Sequence, residues 1–511
     1  MDVHHAAMQE IELKLQVPRT RRAAVDAAVA GRAPAPRVRL QATYFDTPDR
    51  ALAQAGLALR VRREGRRTVQ TLKAAGDDGL TRAEHNMALD AQGSAAAGAL
   101  RADPHLHAGT QVGDRLLALL AQTGQPLAAV YRTDIRRRSR TLRTRLGVVE
   151  MAFDEGFIAA GDRRLPVCEL EIELVRGSPL AVIAAGRHWS ARHALWLDGR
   201  SKAERGDLLA RGESAAPPAL ARPVSLGKDT PLDEGARQVM LACLDQIGRN
   251  ASQVASGEFE AEHVHQLRIG LRRLRTALRL FGDAVAGVPG GPSLAAQAAQ
   301  LFRGLGAARD AAAIGEPIER ELSEALLAAG LVFQVPRLPL PADAPVPADL
   351  LRAAASQQLL LDLLALAQGR DPGLARAADA PALQAFVAKR LNRWHRKAVD
   401  DAKRWNELDD VGRHRLRKRV KRLRYAVEFC GDLFDGRRVR RYLKRLRALQ
   451  TQLGAVVDVT MALDAYRGGS AADPHALFAV GWLTARRARL LSETARPAEA
   501  FAEVKRFWKK P

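Results

Sequence analysis

Glu10-Ile11-Glu12-Leu13-Lys14 alternates charged and apolar residues with a period of two. Successive side chains of a strand point to opposite faces, so Glu10, Glu12 and Lys14 share one face while Ile11, Leu13 and Leu15 share the other. On a solvated sheet surface such charges stand in water at no cost. Two carboxylates and an ammonium in register also suit a site that holds a metal ion and a phosphate. The surrounding sequence has to separate the two readings.

Up to about residue 210 the chain reads as short alternating segments broken by Gly, Pro and Asp, with strand candidates at 9–17, 57–63, 68–74, 82–89, 131–139, 147–153 and 167–175. This number of short strands fits an antiparallel barrel or sandwich. Charge recurs on alternate positions in several of them: Arg60 and Arg62; Arg82 and Glu84; Arg132, Asp134 and Arg136; Glu150 and Asp154; Glu169, Glu171 and Glu173, with Leu170, Ile172 and Leu174 opposite. If a barrel closes, the apolar faces need helices outside and the charged faces line a lumen. A solvated sheet face is the simpler account of any one strand, but six strands with the same habit favour a charged tunnel.

A lumen bearing Lys14, Arg60, Arg62, Lys73, Arg132, Arg136 and Lys202 would bind a multiply charged anion, because guanidinium and ammonium groups match phosphate oxygens. Glu10, Glu12, Glu150, Glu169 and Glu171 would repel that anion unless divalent cations lay between. Oxygen ligands with phosphate imply Mg²⁺ or Mn²⁺, whereas zinc would want His or Cys partners that these strands lack. Phosphoryl transfer is the chemistry these parts fit best.

The whole chain of 511 residues is long enough for more than one domain, and Lys and Arg outnumber Asp and Glu by 80 to 57, for a net charge of +23. Such a surface attracts polyanions: nucleic acid, polyphosphate or anionic lipid. The start carries neither a basic n-region nor an apolar h-region, and no apolar run reaches the roughly 18 residues needed to span a bilayer, so a cytoplasmic location is expected. Cys168, Cys243 and Cys430 are too scattered for a zinc site or a disulfide framework.

Glu213-Ser214-Ala215-Ala216-Pro217-Pro218 opens a linker that runs to Thr230-Pro231. Beyond it, long Leu/Ala/Arg segments take the helical period. His265, Arg268, Arg272, Arg275 and Arg279 form one stripe, beside an apolar stripe of Leu267, Leu271, Leu274 and Leu278. His414, Arg417, Lys421 and Arg424, beside Leu416, Val420, Leu423 and Val427, repeat it 149 residues later. Leu305-Gly306 with Asp310 and Leu453-Gly454 with Asp458 repeat at an offset of 148. The duplication predicts two antiparallel helical bundles, over about 232–333 and 349–511, joined through Pro336, Pro339, Pro341, Pro345 and Pro347. A pseudo-twofold would bring the two basic helices together. They lack interleaved aromatics, so charge alone supports nucleic acid, and no specific nucleic-acid or membrane partner is expected.

Glu10-Ile11-Glu12-Leu13-Lys14 resembles the ExExK signature of CYTH domains, the triphosphate tunnel metalloenzymes. Further matches follow in the family's order: Tyr44-Phe45-Asp46-Thr47-Pro48, Gly56-Leu57-Ala58-Leu59-Arg60-Val61-Arg62, Thr71-Leu72-Lys73, Cys168-Glu169-Leu170-Glu171-Ile172-Glu173 and Ser201-Lys202-Ala203-Glu204-Arg205-Gly206. The resemblance covers about residues 8–210. It implies an α+β fold with an eight-stranded antiparallel tunnel, a divalent metal and a triphosphate substrate. By the same likeness, Glu10, Glu12, Glu169, Glu171 and Glu150 hold the metal. Lys14, Arg60, Arg62, Lys73, Arg132 and Lys202 bind phosphate, and Lys14, Arg60 and Lys73 act on the reacting group.

The segment from Val264 to Arg275 and that from His414 to Arg424 resemble the CHAD domain, over about 232–511, after a linker at 211–231. That likeness implies an all-α pair of four-helix bundles whose His265, Arg268, Arg272, Arg275, His414, Arg417, Lys421 and Arg424 grip long-chain polyphosphate, with a setting on polyphosphate granules. The chain as a whole is similar to bacterial CYTH-CHAD inorganic triphosphatases. Thiamine triphosphatase, adenylate cyclase and a non-catalytic polyphosphate-binding protein stay open.

Overall fold

Among the described residues of the computed structural model the strands are β1 (Met8–Gln16), β2 (Arg37–Asp46), β3 (Leu57–Glu64), β4 (Arg67–Ala75), β5 (Thr81–Leu89), β6 (Ala128–Thr144), β7 (Gly147–Ala160), β8 (Arg163–Gly177) and β9 (Trp196–Leu197). The model describes residues 8–32, 35–76, 81–89, 101–282, 291–334, 337–338, 345–368, 382–469, 473 and 475–508. Strand order is β5-β4-β3-β2-β6-β7-β8-β1-β9, and β5 also pairs with β1. Eight strands therefore close into a barrel, and β9 adds a short pairing to β1. All the pairings are antiparallel.

Closure gives the alternation its two environments. The outer residues Leu13, Leu15, Val149, Met151, Phe153, Leu170 and Ile172 are buried, and Ile11 and Leu174 pack at their margin. Their cover comes from Val25 and Val29 of α1 (Arg22–Ala30) and from Val182, Ile183 and Trp189 of α4 (Pro179–His193). A second outer cluster joins Leu57 and Leu59 of β3 and Leu72 of β4 to Leu52 of α2 (Ala51–Gln54) and to Val112 and Leu116 of α3 (Gln111–Thr123). The helices outside the barrel are those the apolar faces required.

Inside, one end is filled. Leu40, Ile135, Ile158 and Val167 cluster with Tyr131, Leu165 and Leu209, the last from α5 (Lys202–Arg211). Gly206 lets α5 approach the Tyr131 ring, which any Cβ at that position would strike. Strand β2 escapes the alternation argument because its inward residues are Leu40, Ala42 and Tyr44 while Arg39 and Gln41 face outward, the reverse polarity of its neighbours. The strand candidates read from the sequence do not include it.

Two compact units are present. The first contains Met1–Leu220, Leu244–Leu267 and Pro347–Arg370; the second contains Ala221–Cys243, Arg268–Val346 and Asp371–Pro511. The first thus takes in part of α6 (Leu232–Ser256) and of α7 (Ala261–Leu280), together with α10 (Pro347–Arg352) and α11 (Ala354–Gln368). Leu361 of α11 joins the cluster on the outer barrel face.

The second unit is helical. It comprises α8 (Gly291–Gly304), α9 (Ala307–Ala328), α12 (Leu383–Lys403), α13 (Asp410–Cys430), α14 (Gly436–Gly469) and α15 (Ala476–Ala502), with the remainder of α6 and α7. The predicted apolar stripes are buried in both α7 and α13. Pro336, Pro339 and Pro341 of the expected connector, and the side chain of Asp310, lie outside the described residues.

Ile172 has no exposed surface. Ile172→Ala is expected to lower stability by about 2–5 kcal/mol, read as a reduced denaturant midpoint.

Candidate functional site

Residues opposite one another in antiparallel pairs point to the same side, so the registers stack the inner face in levels. Gln16, Glu169, Asp154 and Arg137 lie level with one another; Lys14, Glu171 and Ala152 form the next level; Glu12, Glu173 and Glu150 form the third. Glu12 and Lys14 are each 7% exposed and form an ion pair, while Asp154 and Glu169 have no exposed surface.

The filled end positions two cations. Ser201 caps α5: its Oγ accepts from Glu204 N at 3.0 Å, and Glu204 accepts from Ser201 N at 2.7 Å. This capping box fixes the first turn, so that Lys202 and Arg205, three residues apart, point from one face. Lys202 Nζ donates to Asp154 at 2.6 Å, to Glu171 at 2.9 Å and to Glu169, which Arg205 also contacts. Arg137 donates to Asp154 at 2.7 and 2.6 Å and to Glu171. Burial opposes the charge of Glu171, but Lys202, Arg137 and Lys14 outweigh it and hold the carboxyl well below its ordinary range. Carboxylate oxygens of Asp154, Glu169 and Glu171 all lie within 4.8 Å of one another.

Farther along the same face, Lys73 Nζ is 2.7 Å from both Glu10 and Glu84. Burial pushes Glu10 up to about 8 against the pull of Lys73, while Lys73 and a hydrogen bond from Glu10 bring Glu84 down to about 2. Arg60 donates to Tyr44 Oη at 3.3 Å, and the Nε atoms of Arg60 and Arg62 are buried with no hydrogen-bond partner among the described residues. Buried guanidinium groups with unused donors fit an anion, and clustered carboxylates without His or Cys fit a hard divalent cation.

The CYTH domain family matches residues 8–206, and the CHAD domain family matches residues 238–467. This chain joins a CYTH domain to a CHAD domain. A curated relative, the inorganic triphosphatase of Haemophilus influenzae, is 31% identical over 170 residues, which is 33% of this chain and 45% of that protein. The chain therefore spans less than half the length of the relative it matches. Among solved structures, the CHAD domain from the plant Ricinus communis is 29% identical, covering 55% of this chain and 96% of that one, with a TM-score of 0.45. The Hippeastrum protein HpAC1, described as having a dominant triphosphatase activity, is 19% identical over 41% of this chain and 98% of that one, with a TM-score of 0.30.

Within the CYTH barrel, Glu10, Glu12, Lys14, Arg60, Arg62, Lys73, Glu150, Glu169, Glu171 and Lys202 all lie on the inner face or point to it. Arg132 and Arg136 do not. Both are exposed, in register with outward Thr43 and Arg39, and the inward positions of β6 are Tyr131, Thr133, Ile135 and Arg137. The alternation expected there is out by one residue, because the run Arg136-Arg137-Arg138 gives charge no period of two. The five expected metal carboxylates also divide. Glu169 and Glu171 group with Asp154, while Glu10 stands with Glu84, and Glu12 and Glu150 are level with Glu173. Asp154 and Glu84 were visible as alternating charges, and Arg205 stood in the motif after Ser201; Arg137 carried no signal of its own.

In the CHAD helices, Arg268, Arg272 and Arg275 of α7 place their guanidinium carbons 4.7, 5.5 and 6.0 Å from the ring centre of Phe302 in α8. Lys421 of α13 is pushed down to about 7 by burial and by Arg417 and Arg272, so the two basic helices meet. Burial and Lys418, Arg417 and Lys421 lower His414. His265 is half-buried at the head of the first stripe. Arg417 reaches Asp458 at 3.5 Å, and Arg424 reaches Glu428 at 3.0 Å.

Because Glu10 binds its proton more tightly folded than unfolded, it adds stability below about pH 4.5 that is lost as pH rises through about 8. Glu10→Gln is expected to flatten the pH dependence of stability across that window, measured as urea midpoints; curves parallel to the native ones contradict the assignment.

Proposed function

We propose that the CYTH barrel hydrolyses inorganic triphosphate, tripolyphosphate, to diphosphate and phosphate with Mg²⁺ or Mn²⁺, and that the CHAD helices bind long-chain polyphosphate. The observation that carries the first part is the inner face of the closed barrel, where half-buried Arg60 and Arg62, with their Nε atoms buried, share the face with two carboxylate groups. The 31% identity to an inorganic triphosphatase supports the same reading. Among the described residues no helix is long and apolar enough to cross a membrane, in keeping with a cytoplasmic setting at polyphosphate.

Arg60, Arg62, Lys14 and Lys73 bind phosphate oxygens and offset their charge, while Arg137, Lys202 and Arg205 hold Asp154, Glu169 and Glu171 in place. A divalent ion held by carboxylates of the two groups would, when bound, neutralise phosphate oxygens and acidify water. The filled end of the barrel limits water around the phosphates, where each aligned donor is worth about 2.7–4 kcal/mol in the transition state. No side chain has to act as a dedicated base.

Purified protein is expected to release phosphate from tripolyphosphate with Mg²⁺ or Mn²⁺, in preference to ATP or thiamine triphosphate; no release with either metal overturns the assignment. Glu10→Gln/Glu12→Gln should lose turnover and keep polyphosphate binding.

For the helices, the supporting observation is the convergence of Arg272 and Arg417 about Lys421, whose charge burial disfavours. Removing charge at Arg268, Arg272, Arg417 and Lys421 together should weaken polyphosphate more than duplex DNA in competition binding. Equal losses for both polymers would reveal nonspecific electrostatics.

A further inference from the structure

Trp196 to Arg200, the stretch that joins β9 to α5, is held from two sides. On the barrel side, Asp198 N donates to Lys14 O at 3.0 Å. The fully buried Asp198 carboxylate accepts from Arg200 at 2.9 and 2.8 Å and from Gln16 at 3.2 Å. On the other side the partners come from far along the chain. Leu197 N donates to Gln357 Oε1 at 2.7 Å, Gly199 N donates to Ser252 Oγ at 2.9 Å, and Arg200 donates to Gln253 Oε1 at 3.3 Å. Ser252, Gln253 and Gln357 are 3%, 2% and 2% exposed, on α6 and α11, within the first compact unit.

The next residue is Ser201, which caps α5, and after it comes Lys202. The direction of Lys202 and Arg205 therefore depends on where residues 197–200 lie. Gln357 and Ser252 pair the backbone N–H groups of Leu197 and Gly199, and Gln253 accepts from the Arg200 guanidinium, so the three side chains fix that segment rather than decorate it. We propose that Ser252, Gln253 and Gln357 are positioning residues of the triphosphate site, which set Lys202 and Arg205 against Asp154, Glu169 and Glu171. The inference rests on the triphosphatase reading above and adds to it that the barrel's own residues are insufficient for a properly aimed α5.

The test uses the full chain with tripolyphosphate, following kcat/KM with Mg²⁺ and affinity by calorimetry. Ser252→Ala and Gln357→Ala are each expected to lower kcat/KM and affinity by about fivefold, the effect of one lost hydrogen bond of ordinary strength. Ser252→Thr, which keeps the acceptor, is expected to restore both. Arg200→Gln removes the Gln253 link from a partly exposed partner together with the two guanidinium bonds to Asp198, so a loss larger than that of Ser252→Ala is expected. In a Lys202→Ala background the affinity loss from Ser252→Ala should shrink, because part of it acts through Lys202. Native affinity and turnover in these variants, or an undiminished loss without Lys202, overturns the inference and leaves the function standing. A native chain that neither binds nor cleaves tripolyphosphate overturns both.

Discussion

The Lys202 ammonium, bonded to Asp154, Glu169 and Glu171 together, is the contact on which the rest of the barrel depends. Three carboxylates this close repel one another strongly in a low-dielectric interior unless cations stand among them. Lys202 supplies one, Arg137 and Arg205 supply two more from the flanks, and the resulting network needs each member in place. The closed barrel, the capped helix α5 and the small residue at Gly206 all serve to bring these groups together.

Buried ion networks are poor devices for stability alone, since desolvation offsets much of their mutual attraction and well-packed apolar residues would do as well. The outer face of the same strands shows the apolar alternative in use, with Leu13, Leu170 and Ile172 packed under helices. Charge is confined to the inner face, and there it comes in both signs. A polyanion with its counter-cations is the ligand that uses both.

Much of this arrangement was legible because a period of two separates the faces so cleanly in β1 and β8. Glu10-Ile11-Glu12-Leu13-Lys14 and Glu169-Leu170-Glu171-Ile172-Glu173 predict both the inner charges and the outer helices. The reading failed where the pattern lost contrast. In β6 three consecutive arginines, Arg136, Arg137 and Arg138, offer no phase, and only the register with Asp154 shows that Arg137 is the inward one. In β2 the apolar residues face inward, onto the filled end, so the usual polarity is inverted. The side chains that reach the 197–200 segment from Ser252, Gln253 and Gln357 are invisible to any local argument, since they depend on contacts across more than fifty residues.

The central claim is that the inner face is a ligand site and not a self-satisfied salt network. Crystals of the protein soaked with tripolyphosphate and Mn²⁺ test it directly, with anomalous scattering to locate the metal. The account predicts Mn²⁺ against carboxylates of the barrel interior and phosphate density beside Arg60 and Arg62. A barrel that holds neither at saturating concentrations of both would contradict it.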